Sequence, residues 1–300
     1  MFVIDRFAGR DIFATIAGVR RNLMNVRSMI SGLVVGAIVV LAAGTRAVGA
    51  AETVSFSSAG KTLHGLLYKP AGSGPFPVVL YNHGSAPGVL NTQAFEVLAP
   101  IFTAHGWVFF APYRRGQGLS SDAGPYVGDQ IAAVQARDGM EAAVETMVRL
   151  LSTEQLQDQM AALAWLKRQP FVQRGRIAVM GNSFGGVETV LAAEDRGYCA
   201  AVDASGGAES WERAPALRSL MVDAVRRAQA PTLFIQAQND YTVAPSRTLY
   251  AAMRAVGKDA AIRIYPPYGD SDSAGHSFAW QGGSIWKETV LHFLDQNCPP

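Results

Sequence analysis

Cysteine is scarce in this chain, with two residues among 300. Neither Cys199 nor Cys298 has a second cysteine or a histidine at the spacing of zinc ligands, which excludes a cysteine-based metal centre. In an oxidising compartment the two thiols could pair with each other. The other interpretation is one buried core thiol and one loose thiol in the tail. The sequence leaves both open.

Charge is also sparse, since Asp, Glu, Lys and Arg make up only 17% of the residues. The formal net charge of +2 comes from the first fifty residues, which hold six arginines and two aspartates. The rest of the chain carries 20 basic and 22 acidic side chains, and no Lys/Arg cluster that could neutralise a row of phosphates. Nucleic-acid binding is therefore excluded as a function.

After residue 51 the chain lacks repeats, low-complexity runs and a Pro/Ser-rich linker. Hydrophobic residues make up 49% of the chain, which is enough for a sizeable core. Because about 250 residues can form one domain in α/β proteins, we expect residues 52–300 to be a single domain.

The N-terminal segment has the pattern of an export signal. Residues 28–45 carry no charge, basic residues precede them, and small residues follow. We predict a signal peptide within residues 1–51, cleaved near its end, and an exported protein, periplasmic or secreted. The alternative is an uncleaved membrane anchor, because 18 uncharged residues just reach the length that spans a bilayer. Met24 or Met29 would give a leader of more ordinary length, so the start of translation is open.

Strand-like and helix-like segments alternate along residues 52–300. This alternation predicts a mainly parallel sheet of about eight strands with helices on both faces, after an antiparallel start. The predicted strands are 54–57, 63–69, 77–81, 107–111, 177–180, 200–204, 233–236 and 261–265. The predicted helices are 93–104, 132–151, 153–168 (with Ser152 as its cap), 184–194, 216–228, 246–256 and 286–296.

A serine occupies the motif Gly-x-Ser-x-Gly in residues 177–186, IAVMGNSFGG, between a buried strand and a helix. Glycine is required at 181 and 185, where a side chain would collide with the neighbouring strand and helix. The sharp turn would expose the Ser183 hydroxyl as a nucleophile and leave the backbone N–H of Phe184 free to bind an oxyanion. The alternative is a Gly-rich turn with a spectator serine.

The third predicted strand ends in residues 81–85, YNHGS. In hydrolases with such a serine turn, the loop after this strand supplies the second oxyanion donor, commonly just after a His-Gly pair. We therefore predict the backbone N–H of Ser85 as that donor. His83 is predicted to hold the loop through its ring nitrogens rather than to act as a base.

Two late segments contribute an acid and a base. Asp240 follows an apolar strand in the polar loop of residues 233–245, where a carboxylate can accept a hydrogen bond from a histidine. His276 lies in the Gly- and Ser-rich segment 269–280, predicted to be a loop after the last strand. Asp203 is the main rival for the acid, although its surroundings are typical of a core edge. The other four histidines are more simply structural or exposed.

Ser183, Asp240 and His276 are therefore predicted to be nucleophile, acid and base, each after a different strand. The order Ser…Asp…His is that of the α/β-hydrolase fold and differs from the trypsin-like and subtilisin-like orders. The sequence thus predicts this fold, without a large lid domain, because only about 28 residues separate strands 200–204 and 233–236. Such chemistry requires neither a metal nor an organic cofactor.

With these motifs, residues 63–296 resemble the dienelactone-hydrolase-like and prolyl-oligopeptidase-like branch of the α/β-hydrolases. The segment PYRRGQGLS matches the R-G-x-G-x-S element of that branch at Arg115, Gly116, Gly118 and Ser120. The resemblance implies that this loop lies beside the active site and mainly fixes its shape. True dienelactone hydrolases carry cysteine as nucleophile, so the narrow lactone assignment does not transfer to Ser183. Peptidase relatives usually carry an N-terminal propeller, for which no room exists before residue 63.

The predicted function is a serine hydrolase that cleaves a small or medium soluble carboxylic ester through an acyl-enzyme on Ser183. Tyr113, Arg115 and Trp211 are candidate substrate contacts, with packing, or for Arg115 a structural salt bridge, as the alternative. The alternative functions are an exopeptidase or amidase, an acyltransferase, and a non-catalytic binding protein on the same fold. A membrane is expected as a partner only if the N-terminal segment stays uncleaved.

Overall fold

Residues 50–85 and 92–300 are described by the computed structural model of the protein, and they belong to one compact unit. Within them, eight strands form one sheet. The predicted leader, residues 1–51, lies almost entirely outside the described residues. The strands are β1 (Glu52–Ser58), β2 (Lys61–Tyr68), β3 (Phe76–Asn82), β4 (Val108–Pro112), β5 (Val172–Asn182), β6 (Ala200–Ala204), β7 (Thr232–Ala237) and β8 (Ala260–Tyr265).

Nine α-helices of the described chain connect and cover these strands. A 3-10 helix over Gly118–Ala123 and a π-helical turn over Leu151–Gln155 supplement them. The α-helices are α1 (Thr92–Ala104), α2 (Val127–Asp138), α3 (Met140–Leu150), α4 (Leu156–Lys167), α5 (Phe184–Ala192), α6 (Pro215–Arg227), α7 (Ala244–Ala255), α8 (Asp272–Gln281) and α9 (Gly283–Asn297).

The strand order is β1-β2-β4-β3-β5-β6-β7-β8. β2 is antiparallel to β1 and β4, and all other pairs are parallel. The chain leaves β3 toward β4 on one side and leaves β5 toward β6 on the other. A crevice therefore opens between the carboxyl ends of β3 and β5, which is where open α/β sheets bind their ligands. The predicted α/β-hydrolase fold is confirmed, and no large lid domain occurs among the described residues.

Two hydrophobic layers cover the sheet, one on each face. Alternate residues of a strand point to opposite faces, so Val78 and Leu80 of β3 join one layer while Val79 and Tyr81 join the other. Helices α2 to α7 pack on the first face, and α1, α8 and α9 pack on the second. Burial on both faces explains the continuous apolar runs of these strands.

The helical boundaries between residues 127 and 167 differ from the prediction. The helix predicted at 132–151 is broken at Gly139, whose φ of +91° and ψ of −179° belong to glycine alone. The break predicted at residue 152 does not exist, because a π-helical turn joins α3 to α4. Ser152 is not a cap, since its hydroxyl donates to the carbonyl of Val148 at 2.8 Å.

A disulfide joins Cys199, just before β6, to Cys298, just after α9. Of the two alternatives that the sequence left open, the structure shows the paired one. Arg176 fastens the same end of the chain through a 2.8 Å hydrogen bond to the carbonyl of Cys298. Among the residues described, no helix is long and apolar enough to cross a membrane.

Candidate active site

Ser183 lies in the tight turn between β5 and α5, with φ +56° and ψ −119°. A positive φ is strained for a residue with a side chain, and such strain concentrates at functional sites. The surrounding backbone holds this conformation. The Ser183 N–H donates to the carbonyl of Ala204 at 3.0 Å, and its own carbonyl accepts from Gly186 at 3.0 Å. The nucleophile turn predicted from Gly-x-Ser-x-Gly is thus present in the structure.

The two motif glycines are needed because backbone lies directly against them. A Cβ at Gly185 would overlap the carbonyl of Asn82, at the end of β3. A Cβ at Gly181 would overlap the carbonyl of Gly185 and the hydroxyl of Thr189. The turn therefore packs directly against the end of β3 and against α5, which is the steric reason for glycine that the sequence predicted.

Asp240 and His276, which are 36 residues apart, meet beyond the carboxyl end of β7. The Nδ1 of His276 lies 2.8 Å from Oδ1 of Asp240. Because a carboxylate oxygen only accepts, Nδ1 carries a proton, and in the neutral ring the lone pair lies on Nε2. The Asp240 side chain has no exposed surface, which strengthens this contact relative to one in water. This pairing is the one predicted from the sequence.

Asp240 is satisfied on both oxygens. Oδ1 also accepts the backbone N–H of Tyr241 at 2.7 Å, and Oδ2 accepts Nε2 of Gln236 at 2.8 Å. Gln236 is itself held by the hydroxyl of Ser246, which donates to its Oε1 at 2.8 Å. The sequence prediction missed Gln236. The signal for it was a polar residue in an otherwise apolar strand, which needs a buried partner.

His276 lies on helix α8, not in a loop, so that part of the prediction is wrong. Ser271 caps the helix by accepting the N–H of Ala274 at 3.1 Å. Gly275 lets the helix approach closely, because a Cβ there would overlap the backbone of Asn239. This close contact places His276 beside Asp240.

The free edge of the imidazole is shielded but unpartnered. Nε2 of His276 is buried and makes no hydrogen bond, and the side chain as a whole is 17% exposed. The rings of Tyr241 and His276 contact each other edge-to-face, with 5.3 Å between ring centroids. Among the described contacts no hydrogen bond joins Ser183 to His276. The structure therefore brings Asp240 and His276 together and leaves the third link of the predicted triad open.

The loop after β3 lies against the serine turn. A Cβ at Gly84 would stand 3.6 Å from Cβ of Ser183 and 3.1 Å from Nδ2 of Asn182. Ser85, the next residue, is exposed. Phe184 begins α5, where backbone N–H groups have no partner within the helix. The loop that carries the predicted donor Ser85 therefore lies against the serine turn, and the other predicted donor, Phe184, follows Ser183 directly in the chain.

His83 is buried, as its predicted structural role requires. Its Nδ1 lies 2.8 Å from the carbonyl of Gly84 and 3.2 Å from Nη2 of Arg114. Burial, together with the positive charge of Arg114, holds the pKa of the ring well below its usual value. A buried, neutral imidazole therefore packs within the loop after β3.

Asp203 does not take the place of Asp240. It is fully buried in β6, and its Oδ1 accepts the N–H of Gly206 at 2.9 Å. Burial raises the pKa of this carboxyl to about 7, with the charge of Asp240 adding to the rise. Among the described contacts no hydrogen bond joins Asp203 to a histidine.

Residues 63–289, well over half of the chain, match the dienelactone hydrolase family. The chain belongs to the dienelactone hydrolase family. It is also 26% identical over 216 aligned positions to the uncharacterized peptidase YtmA of Bacillus subtilis (strain 168), an alignment that covers 64% of this chain and 74% of that protein. Family and relative together identify the chain as a hydrolase of the serine-hydrolase type.

Solved structures share the fold of this dienelactone hydrolase family member. The acylaminoacyl peptidase of Pyrococcus horikoshii superposes with a TM-score of 0.62 at 17% identity, over 85% of this chain and 42% of that one. A Klebsiella pneumoniae protein assigned as a dienelactone hydrolase gives 0.61 at 20% identity, over 83% of this chain and 99% of that one. The chain thus spans about two fifths of the first protein and nearly all of the second.

The three candidate substrate contacts lie in packed positions of this family member. Tyr113 is 1% exposed and packs on the rings of His83 and Phe95. Arg115 is also buried and forms a salt bridge with Asp158, 2.6 Å from Nη2 to Oδ1. Side chains this enclosed favour the alternatives of packing and a structural salt bridge.

Trp211 is 4% exposed and lies after β6. It lines a surface groove together with residues of α6 and α7, among them Arg218, Asp223 and Thr248. Its burial likewise favours packing. No group of three or more His, Cys, Asp or Glu side chains able to hold a metal occurs in the described part of the chain.

Proposed function

We propose that this protein hydrolyses carboxylic esters through a covalent acyl-enzyme on Ser183, with His276 as general base and Asp240 as its orienting acid. The observation that carries the proposal is the hydrogen bond between the buried Asp240 and His276, together with the unpartnered Nε2 of that histidine. A strained serine turn in the same fold supports it. Catalytic hydrogen bonds in unliganded sites are often long and tighten only with substrate, so an open link to Ser183 is compatible with this role.

The reaction follows from these positions. His276 Nε2 accepts the Ser183 proton as Oγ attacks the ester carbonyl, a contribution of typically about 10²–10⁴ in rate. Asp240 fixes the tautomer and stabilises the imidazolium. The N–H groups of Phe184 and Ser85 bind the oxyanion, each worth about 10²–10³. His276 then protonates the leaving alcohol, and water activated by the same base releases the acid.

The test is covalent labelling by a fluorophosphonate, which reacts with activated serines. We expect the purified protein to bind one equivalent, and Ser183→Ala and His276→Ala to bind none. Ser205→Ala is the control, since Ser205 also has a positive φ but is buried and lies after β6. Absence of labelling in folded wild-type protein would sink the proposal and favour a non-catalytic binding protein on this fold.

A peptidase or amidase is the second candidate function. The names of the Bacillus relative and of the Pyrococcus structure favour it. Esters and amides share the acyl-enzyme route and differ in the leaving group that His276 must protonate. Turnover of a p-nitrophenyl ester without turnover of the matched p-nitroanilide supports the esterase, and comparable turnover of both supports the amidase.

We also propose that the protein is exported. The Cys199–Cys298 disulfide supports this, because disulfides persist in oxidising compartments. The check is N-terminal sequencing of the protein recovered from a fractionated bacterial host. A mature end near residue 51 in the periplasm or medium is expected. An intact leader in the membrane fraction would favour the anchored alternative, and an intact leader in the cytoplasm would contradict export.

A further inference from the structure

Arg114 precedes the Arg-Gly pair of the R-G-x-G-x-S element and has no role in the proposed mechanism. Its guanidinium is buried, with 5% of the side chain exposed. Nη1 donates to the carbonyl of His83 at 2.7 Å, and Nη2 donates to the carbonyl of Gly84 at 3.0 Å. The charge is balanced by Glu188, 2.6 Å from Nη1, and Nε is fixed by Gln117 at 3.1 Å.

The carbonyl of Gly84 belongs to the same peptide group as the N–H of Ser85. That peptide is trans, since the cis bond of the described chain is Gly74–Pro75. In a trans peptide the C=O and N–H point in opposite directions from one plane. Fixing the carbonyl therefore fixes the direction of the N–H. A cation on the oxygen also polarises the peptide and strengthens its N–H as a donor.

Arg114 also contacts the element that carries the other predicted donor. Its guanidinium lies over the ring of Phe184, 5.1 Å from the ring centroid. Glu188, its ion-pair partner, lies on α5, the helix that begins at Phe184. One side chain thus links the loop after β3 to the helix after the nucleophile.

We propose that Arg114 is a positioning residue for the oxyanion hole. It holds the Gly84–Ser85 peptide in a fixed position relative to the start of helix α5. The proposal rests on the proposed serine-hydrolase function, because an oxyanion at Ser85 exists only in that reaction. Lysine cannot replace this arginine. A single ammonium on a flexible stem does not reproduce the planar fork that reaches two carbonyls and a carboxylate together.

The experiment compares the full-length wild type with Arg114→Lys, using p-nitrophenyl acetate as substrate and an alkyl trifluoromethyl ketone as inhibitor. Ser183 Oγ adds to the ketone carbonyl, its proton passes to His276, and the resulting oxyanion occupies the hole. We expect kcat/KM to fall about 10- to 100-fold through kcat, with KM within about twofold. The inhibition constant is expected to rise by the same factor, which a merely structural role would not produce.

Arg115→Lys is the matched control. Arg115 is the next buried arginine along the chain, and it pairs with Asp158 instead of with the loop carbonyls. Its replacement is expected to lower thermal stability while kcat/KM stays within about threefold. Glu188→Gln serves if Arg114→Lys does not fold, because it removes the balancing charge and keeps the guanidinium. A loss of kcat/KM about three- to tenfold is expected, again with proportionally weaker inhibition.

Four outcomes separate this inference from the proposed function. If the wild type neither labels with fluorophosphonate nor turns over the ester, the proposed function fails, and this inference fails with it. If the wild type is active and Arg114→Lys retains its kcat/KM, only the inference is overturned. It is also overturned if kcat falls while ketone binding is unchanged, or if Arg115→Lys loses as much activity as Arg114→Lys.

Discussion

At the scale of single residues, Asp240 depends on Gln236 for the only hydrogen bond to its Oδ2 among the described contacts. Replacing Gln236 by leucine would leave that oxygen buried without a donor, at a cost of about 1–3 kcal/mol. An unpaired carboxylate oxygen also competes for the imidazole and shifts its position. We expect Gln236→Leu to lower the free energy of unfolding by that amount and kcat/KM for an ester about tenfold.

Ser246→Ala separates these two effects. Ser246 holds only the far end of Gln236, through Oε1. Its loss is expected to cost about 1 kcal/mol of stability and to leave kcat/KM within about twofold. Urea denaturation and steady-state kinetics on both variants provide the measurement. Equal losses of activity in the two variants would contradict a specific role for the Gln236–Asp240 contact.

Asp203 is a buried carboxyl for which stability depends on pH. Its pKa is raised to about 7, mainly by burial, from an ordinary value of 3.8. Between these two values the folded chain holds a proton that the unfolded chain has lost, so stability falls as pH rises toward 7. Asparagine has no such proton to lose. We expect Asp203→Asn to gain stability relative to wild type on going from pH 5 to pH 8.

The measurement is urea denaturation of both proteins at the two pH values. Other titrating groups contribute to both proteins alike, so the difference between the two isolates Asp203. The single hydrogen bond from Gly206 to Oδ1 survives in the variant, because an amide oxygen also accepts. A stability difference that is the same at pH 5 and pH 8 would show that Asp203 is ionised in the folded protein throughout.

At the scale of elements, Gly139 divides two helices that would otherwise run together. Its φ of +91° with ψ of −179° is a conformation that costs a residue with a side chain about 1–3 kcal/mol. Apart from the glycine and its two chain neighbours, no atom lies within 4 Å of a Cβ placed there, so the cost is one of backbone conformation alone. We expect Gly139→Ala to lower the free energy of unfolding by about that amount.

Gly175→Ala is the matched control for that substitution. Gly175 also has open space around its would-be Cβ, but its φ is not positive. Alanine there is expected to change stability by less than about 0.5 kcal/mol. Chemical denaturation of both variants tests the pair, and equal effects at the two sites would contradict a conformational origin.

The same glycine shows where sequence patterns stop predicting elements. The strand predicted at 77–81 occurs at Phe76–Asn82. It was predictable because a strand buried on both faces of a parallel sheet is a short, continuous apolar run. Gly139 weakens the prediction of a continuous helix, but a helical pattern that continues past a glycine does not show whether the chain breaks there. Helix α8 was missed for a similar reason, since Gly275 packs on Asn239, a contact between distant parts of the chain.

The residues of the candidate site also differ in how far the sequence alone predicts them. The Ser183 turn and its glycines were predictable, because the motif is local and its steric reason is general. Asp240 and His276 were predictable by chain order together with strand ends. The link between Arg114 and Glu188 was not, since it joins residues 74 apart in sequence. Only the fold brings the β4 loop against α5.

At the scale of the whole molecule, the disulfide closes a long loop, since Cys199 and Cys298 are 99 residues apart. A cross-link of this span restricts the unfolded chain and stabilises the folded state by about 4–5 kcal/mol in the chain-entropy account. Cys199 precedes β6, at the amino ends of the parallel strands, whereas the proposed catalytic residues lie beyond the carboxyl ends. Stability and activity should therefore respond separately to its loss.

We expect the double variant Cys199→Ala/Cys298→Ala to unfold at lower urea concentration, with a loss of about 2–5 kcal/mol, and to keep its esterase kcat/KM within about twofold. Wild type refolded with a reducing agent should match the variant, while the variant itself should not respond to the reductant. Reductant is needed during refolding because Cys298 is 1% exposed in the folded protein. A loss of activity in parallel with stability would mean that the disulfide affects the active site through the sheet. Unchanged stability would mean that packing and the hydrogen bond from Arg176 are enough to hold the C-terminal residues in place.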